Sequence, residues 1–443
     1  MQLFENILNS VNGFIWGYPM ILLLVITHFY LTFKLKFIQK HIFKAIKLSV
    51  KKDDSAGAVS NFAALAVSLG ATIGTGSILG MTTAIATGGP GAVFWMVFFG
   101  FFGFATKYGE CLLAVKYRTQ NESGEYVGGP MYVIKNVLKL KWLGIVFAVC
   151  GLFMALSGGG MLQVNAIADV LKDAYGVNPV YVGLIVSAAV AVIVLGGVKG
   201  VAAASELLVP FMGLLYLFAA VVLFILKIEQ VPYVIGLILK GAFSFKAAGG
   251  GVAGAGIMAA LYSGASRSVM TTEAGLGSSS VIAAAAKTQN PVRQGLVAGT
   301  SVFWTACVCT LTGVIVLLAG DWQSGSKFAG DLCNSAFAAI PYGGSFILVV
   351  CLIIFSFTTI IGWTYYGEKF IEFIGGGKVI LPFRIFWIIC MFLGALASSR
   401  LAWALAVLIT AAMAVPNLVM IFMLRNDILK ETQKYIKQET ENI

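Results

Sequence analysis

Histidine is nearly missing from this chain, which carries only His28 and His41 in 443 residues. Cysteine occurs seven times but never as CxxC, so neither a zinc ribbon nor a thioredoxin-like redox motif is expected. Cys307 and Cys309 form a lone C-x-C and read as two buried thiols rather than a metal pair. Charged residues are scarce at 11%, and ten prolines stand against 51 glycines. No phosphate-cradling loop and no metal-ligand set is present, so an enzyme has no residues to stand on. No cleavable leader is expected, because Glu5 precedes the first apolar segment and no small-residue cleavage site follows it.

What the chain has in quantity is apolar surface. Hydrophobic residues make up 59% of it, and its mean hydropathy is +0.91. A soluble fold of this length could not cover so much apolar area, so an all-α polytopic membrane protein is expected. A membrane span needs about 20 apolar residues. Runs of that kind lie near 14–33, 56–84, 91–115, 142–171, 179–197, 203–227, 251–284, 292–320, 345–368, 379–397 and 401–424, which predicts eleven transmembrane helices. An odd number places the two termini on opposite faces. With the N-terminus outside, 23 of the 30 Lys and Arg residues collect on the cytoplasmic side, as the positive-inside rule requires. The net charge of +11 is thus a sign of topology, and no nucleic-acid partner is expected. Residues 34–52 alternate lysines with Leu35, Ile38, Ile42, Ile46 and Val50, the pattern of an amphipathic helix lying on the cytoplasmic lipid surface. Residues 425–443 form a polar cytoplasmic tail, helical or frayed, and no separate soluble domain is expected.

Two of the apolar runs interrupt themselves. Residues 70–80 read GATIGTGSILG, and residues 271–280 read TTEAGLGSSS. Glycine inside a helix costs about 1 kcal/mol relative to alanine, so such clusters need a reason. They could simply let helices approach closely, as GxxxG motifs do. With the first span set aside, however, ten helices remain, and each set of five opens with a G-x-G-S. The first repeat would be 56–227 and the second 251–424, with 14–33 as an extra N-terminal helix. Repeats of five helices must be inverted relative to each other, an architecture that places a binding site at the midplane between two broken helices. Unwound backbone is tolerated at that depth only where it lines a cavity. Its free N–H groups suit a carboxylate, and its carbonyls suit a small cation.

Four stretches carry a resemblance to a known family. They are TIGTGSILGMTTAIATGGPGAVFWM, ATKYGECLLAVKYRT followed by GEYVGGPMYVI, EAGLGSSSVIAAAAKTQNPVRQGLV, and FTTIIGWTYYGEKF. In that order, over nearly the full length, the chain resembles the alanine/glycine:cation symporters of the amino acid-polyamine-organocation superfamily, as a divergent member. The resemblance implies a leucine-transporter-like 5+5 inverted repeat with one extra N-terminal helix. It implies a secondary symporter of the plasma membrane importing alanine, glycine or serine with Na+ by alternating access, working as a monomer in the bilayer. A proton-coupled or uncoupled carrier, or an amino-acid sensor that kept the fold without transport, are the rival readings.

Residue by residue, the resemblance implies a substrate site of Thr72, Thr75, Gly76, Gln163, Met270 and Thr272. The segment 70–77 is similar to the G-N-A-V-G-L-G-N of sodium-neurotransmitter symporters, so the carbonyls of Gly70 and Ile73 with the hydroxyls of Thr358 and Thr359 would form the Na+ site. Oxygen ligands suit a hard cation, although a Thr-Thr pair can also bond back to its own helix. Gln163 can bind both ends of an amino acid or serve as a helix–helix bond, and Asn165, on another face, reads as structural. The chain departs from the family at Ser77, Thr271, Thr272 and Thr305, where Asn, Ser, Asn and Asp are usual, and at Ala404 and Val407, which align with another Asn and Asp. A second ion site at Ser77 and Thr305 is therefore expected to be weakened, leaving at most one sodium. Ser263 and Met270 stand where bulky aromatics are usual, which implies a wider pocket. Glu110, Glu206, Arg267, Glu273 and Glu368 are costly in lipid and should face protein or water. Lys107 and Glu110 are read as a local i,i+3 pair, and Glu273 as a capping or gating residue or a proton carrier.

Overall fold

The computed structural model describes residues 10–53, 55–243, 255–320, 322, 329–341, 343–397 and 399–441. Helices account for nearly all of it. In chain order they are α1 (Tyr18–Lys34), α2 (Ile42–Val50), α3 (Asn61–Thr72), α4 (Met81–Gly88), α5 (Gly91–Lys116), α6 (Pro130–Asn136), α7 (Lys141–Met154), α8 (Leu162–Tyr175), α9 (Pro179–Leu195) and α10 (Gly197–Leu226). The second half continues with α11 (Val231–Phe243), α12 (Ala255–Thr272), α13 (Ser279–Ala284), α14 (Pro291–Ala319), α15 (Ala329–Ala338), α16 (Gly344–Gly375), α17 (Ile380–Leu396), α18 (Ser399–Met423) and α19 (Arg425–Glu441).

Every predicted span coincides with one of these helices or with a pair of them, but not all pass as spans by length and apolarity. Eight helices among the described residues do, or nine if the bent pair α3 and α4 is one span. Of the two that fall short, α9 is 17 residues long. The other is divided between α12 and the six-residue α13, and its predicted start, 251–254, lies outside the described residues. The short helices α11 and α15 were not expected, because neither is long enough to register as a span.

The hydrophobic pattern explains the packing. Large apolar side chains face outward around the bundle, with Val192, Leu207 and Ile185 each about seven-tenths exposed or more, as lipid-facing helices require. Inside, the bundle is organised on α5 and α16. Helix α5 packs along α12 and α14, while α16 packs against α3, α8 and α10. Many buried hydroxyls bond to carbonyls three or four residues earlier, as Thr82 does to Ile78 and Thr364 to Ile360, which satisfies them within their own helix. Asn178 and Asn290 cap α9 and α14 through their side-chain oxygens, each followed by proline at the first helical position.

The segment 34–52 is helical only in part. Phe37 is left-handed at φ 57° and leads into a 3-10 turn, Ile38–His41, before α2. The tail is a docked helix rather than a frayed one. Ile428 of α19 is buried, the Tyr108 hydroxyl lies 2.6 Å from that of Thr432, and Lys116 pairs with Glu431 at 3.1 Å.

Candidate functional site

Residues 70–80 break as their composition predicts. α3 stops at Thr72, a π turn runs from Gly76 to Gly80, and α4 continues at an angle of 53°. The reason for glycine at the centre is steric. A Cβ on Gly74 would collide with the Thr359 hydroxyl and lie 3.2 Å from Gln163 Oε1. A second π turn, Ala155–Met161, precedes α8, and π turns recur at functional sites because they free backbone groups. Gln163 uses this one: its Nε2 donates to the Gly158 carbonyl at 3.0 Å, while its Oε1 accepts from the Thr75 hydroxyl at 3.0 Å and the Thr75 N–H at 3.3 Å.

Between the two breaks lies a cavity of about 50 Å³, room for a few waters. Ala71, Thr72, Gly74 and Gly76 line it from the first break, and Met270, Thr271 and Glu273 from the second. Gln163, Thr359, Trp363 and Arg267 complete its polar and aromatic wall.

The structure thus brings together Thr72, Gly76, Gln163 and Met270 of the expected substrate site, and rearranges the rest. Thr272 stands off the cavity. Its hydroxyl donates to the Ser268 carbonyl at 2.6 Å and accepts from the Ala274 N–H at 3.3 Å, capping the end of α12, and Thr271 lines the cavity in its place. Thr75 reaches the site through its bonds to Gln163 rather than by lining it. Ser263 does not widen the pocket, because it lies against Thr87, 3.2 Å away, near the end of α4. Asn165 is structural, donating to the Ala397 carbonyl at 2.8 Å.

Of the four expected sodium ligands, Thr359 donates to the Gly70 carbonyl at 2.9 Å and to that of Phe355 at 2.9 Å. The Thr358 hydroxyl bonds back to the Phe355 carbonyl at 3.0 Å, while its Cβ lies close to Gly70. Ile73, the residue after α3, is buried beside them. Ser77 and Thr305 both converge on Thr72, the first donating to its carbonyl at 3.4 Å and the second lying 3.3 Å from its hydroxyl. The carbonyl of Val407 accepts from Trp16 at 3.0 Å, and the Ala404 side chain lies outside the described residues.

The second break is tighter. Glu273, Gly275 and Gly277 all have positive φ, at 54°, 88° and 83°. A Cβ on Gly277 would meet Pro130 at 2.6 Å and Asn417 Oδ1 at 2.8 Å, so glycine is required there twice over. Glu273 accepts hydroxyl bonds from Ser278 at 2.6 Å and Ser279 at 2.8 Å. Lys107, read from its spacing as a partner of Glu110, is fully buried at this break. Its ammonium lies 3.9 Å from both Glu110 and Glu273 and donates to the Thr272 carbonyl and the Ser279 hydroxyl.

Two residues matter here that were not singled out from sequence. Asn417 bridges Glu110 Oε2 and the Gly275 carbonyl, each at 2.8 Å. An amide inside an apolar run beside Pro416 was a readable signal. Arg118 donates to the carbonyls of Ala56, Ala284, Ala286 and Thr288, between 2.6 and 3.2 Å. Beside it the main chains of 58–59 and 285–287 bond directly, with Ala58 N–H on the Ala285 carbonyl at 2.8 Å. The segment leading into the first broken helix is thereby tied to the end of the second. Among so many lysines and arginines, nothing in the sequence set Arg118 apart.

Comparison with known proteins places the chain in a family. The profile of the sodium:alanine symporter family matches residues 1–443. The chain belongs to that family. The sodium/alanine symporter AgcS of Methanococcus maripaludis is 40% identical over 98% of this chain and 97% of its own length. An uncharacterised transporter of Haemophilus influenzae is 43% identical over 98% and 96%. The probable sodium/glutamine symporter GlnT of Bacillus subtilis is 34% identical over 99% and 92%. Among solved structures, MhsT in complex with L-phenylalanine superposes with a TM-score of 0.62 at 14% identity, covering 85% of this chain and 92% of that one, which shows a shared fold. This member of the sodium:alanine symporter family is a multi-pass membrane transporter and not an enzyme.

Proposed function

We propose that the chain is a sodium-coupled importer of small neutral amino acids, alanine and glycine first and serine next. The observation that carries this reading is the cavity between two broken helices, with Gly76 on one wall, Gln163 on another and the Gly70 carbonyl bonded to Thr359 behind it. The substrate carboxylate takes the backbone N–H groups near Thr75 and Gly76, and the Gln163 amide exchanges its internal bonds for the substrate. Thr72, Thr271 and Met270 bound the side-chain space, whose small size favours a short side chain. Sodium takes the Gly70 and Ile73 carbonyls with the Thr359 hydroxyl, and Thr358 joins after rotation of its side chain. Thr305 is already engaged with Thr72, which supports a single ion rather than two.

The architecture in this reading is two inverted five-helix repeats, 56–227 and 251–424, behind an extra first helix, giving eleven spans with α9 and the pair α12 and α13 counted among them. The N-terminus lies outside, the lysine-rich end faces the cytoplasm of the plasma membrane, and the protein works as a monomer. Arg118 and the paired main chains close the cytoplasmic path, and their separation releases substrate and ion inward. The test is uptake of labelled alanine into proteoliposomes with and without an inward sodium gradient. Gradient-driven accumulation is expected. Uptake that follows a proton gradient alone, or no gradient, would replace sodium symport by the other carrier readings. Binding without uptake would favour a sensor.

A further inference from the structure

A cluster beside the substrate cavity holds one ammonium, Lys107, and two carboxylates, Glu110 and Glu273, all but removed from solvent. If all three are ionised the cluster carries an unbalanced negative charge in a medium that screens poorly, a costly arrangement. Its hydrogen bonds are also incomplete. Glu110 Oε2 accepts from Asn417 at 2.8 Å, but Glu110 Oε1 is buried with no hydrogen-bond partner. Lys107 does not supply one. Its ammonium gives two of its three hydrogens to Ser279 at 2.5 Å and the Thr272 carbonyl at 3.2 Å, and at 3.9 Å Oε1 lies beyond hydrogen-bond reach of the third. The Asn417 amide cannot turn over to help, because its Nδ2 is also committed to the Gly275 carbonyl. A buried acceptor left alone in this way calls for a hydrogen or a cation.

A metal cation is the poorer answer, since it would sit against the Lys107 ammonium. A proton on Oε1 removes the charge from that unserved oxygen, leaves the Asn417 bond to Oε2 in place and brings the cluster to neutrality. Glu273 is the poorer proton carrier, because its Oε2 already accepts two hydroxyl hydrogens and it lines the cavity, where water can reach it. The other titratable groups around the cluster are Cys111 on α5, Tyr366 on α16 and His28 on α1, whose ring faces Gly275 and holds the Thr106 hydroxyl at 2.7 Å. None of them balances the charge.

We propose that Glu110 holds an exchangeable proton and that the cluster at the second break is a proton-binding site. Its bonds reach both sides of the break, through Asn417 to Gly275 and through Lys107 to Thr272 and Ser279. Gain or loss of the proton therefore changes how firmly α13 is held to α5. This last step rests on the transporter reading; the proton site itself does not.

The test is infrared difference spectroscopy on the purified full-length protein in detergent, with Glu110→Gln and Glu273→Gln beside the wild type. The carbonyl stretch of a protonated carboxylic acid is expected at neutral pH in the wild type, fading as pH is raised. It is expected to persist in Glu273→Gln and to be lost in Glu110→Gln. Absence of the band from the wild type at neutral pH, or its survival in Glu110→Gln with loss in Glu273→Gln, overturns the proposal. Should Glu110→Gln not fold, the wild-type titration and the Glu273→Gln spectrum still decide between the two carboxyls. The band is read on the resting protein, so it settles the proton site whether or not alanine is transported.

Discussion

The Thr359 hydroxyl reaches across from α16 to the Gly70 carbonyl, 2.9 Å away on α3. This bond joins the first broken helix to the long helix beside it at the place where a cation would find two oxygens. The single Thr359 hydrogen is placed equally well for the Gly70 and Phe355 carbonyls, each 2.9 Å away.

Thr359→Val removes both the bond and a ligand while keeping the shape of the side chain. Loss of the hydrogen bond alone is expected to cost about 1 kcal/mol. The larger effect is on linkage: a site saturated at one hundred times its Kd stabilises by about 2.7 kcal/mol. Thermal unfolding of the wild type in sodium against choline should show that shift, and Thr359→Val should lose it. Thr358→Val should retain part of it. Equal sodium shifts in wild type and Thr359→Val would remove the ion from this place.

Gly74→Ala tests the closeness of the first break. The added methyl meets Thr359 and Gln163 together, so the break must shift. Alanine binding by scintillation proximity is expected to weaken at least about tenfold, equivalent to 1.4 kcal/mol, with the protein still monodisperse. Unchanged affinity would mean that the wall of the cavity moves away on binding.

Gln163→Leu takes away the amide that now serves Thr75 and Gly158. Leaving such groups unpaired costs about 1–3 kcal/mol, so alanine affinity should fall about ten- to hundredfold. Gln163→Glu should fall further, because a second carboxylate would face that of the substrate. An affinity preserved in Gln163→Leu would assign Gln163 to helix packing alone.

Arg118→Ala tests the closure between residues 56 and 288. A cysteine placed at Ala286, fully buried in this state, should react with a thiol reagent severalfold faster when Arg118 is absent. The comparison uses the same Ala286→Cys substitution with and without Arg118→Ala, so the native cysteines cancel. Equal rates would show that the main-chain pairing holds without the guanidinium.

Much of this was legible because it is local. Glycine and serine inside an apolar run announce a break wherever they fall, and the matched pair at 74–77 and 275–278 marked both breaks, although only the first pair touches the cavity. Adjacent hydroxyls at Thr358 and Thr359 were readable too, but which of the two turns toward Gly70 depends on the phase of α16 against α3. The same blindness to phase put Thr272 on the cavity where Thr271 stands. The i,i+3 spacing put Lys107 beside Glu110, but its contacts with Glu273 and Ser279 across the second break depend on how α5 packs against a distant part of the chain. Helices α11 and α15 escaped because a test for membrane spans finds only long apolar runs.

Arg118 gives its hydrogen bonds to main-chain oxygens, while the face of its guanidinium lies 4.0 Å from the centre of the Tyr126 ring. What it reads at those four positions is the path of the backbone, while the full burial of Ala284 and Ala286 separately keeps their side chains small. The arrangement also couples the two segments to each other. One guanidinium serves strands of chain more than two hundred positions apart, so neither can withdraw far without slackening the other. A relative that replaced this arginine would have to find four new donors at once, which concentrates the mutational vulnerability of this junction in a single amino acid.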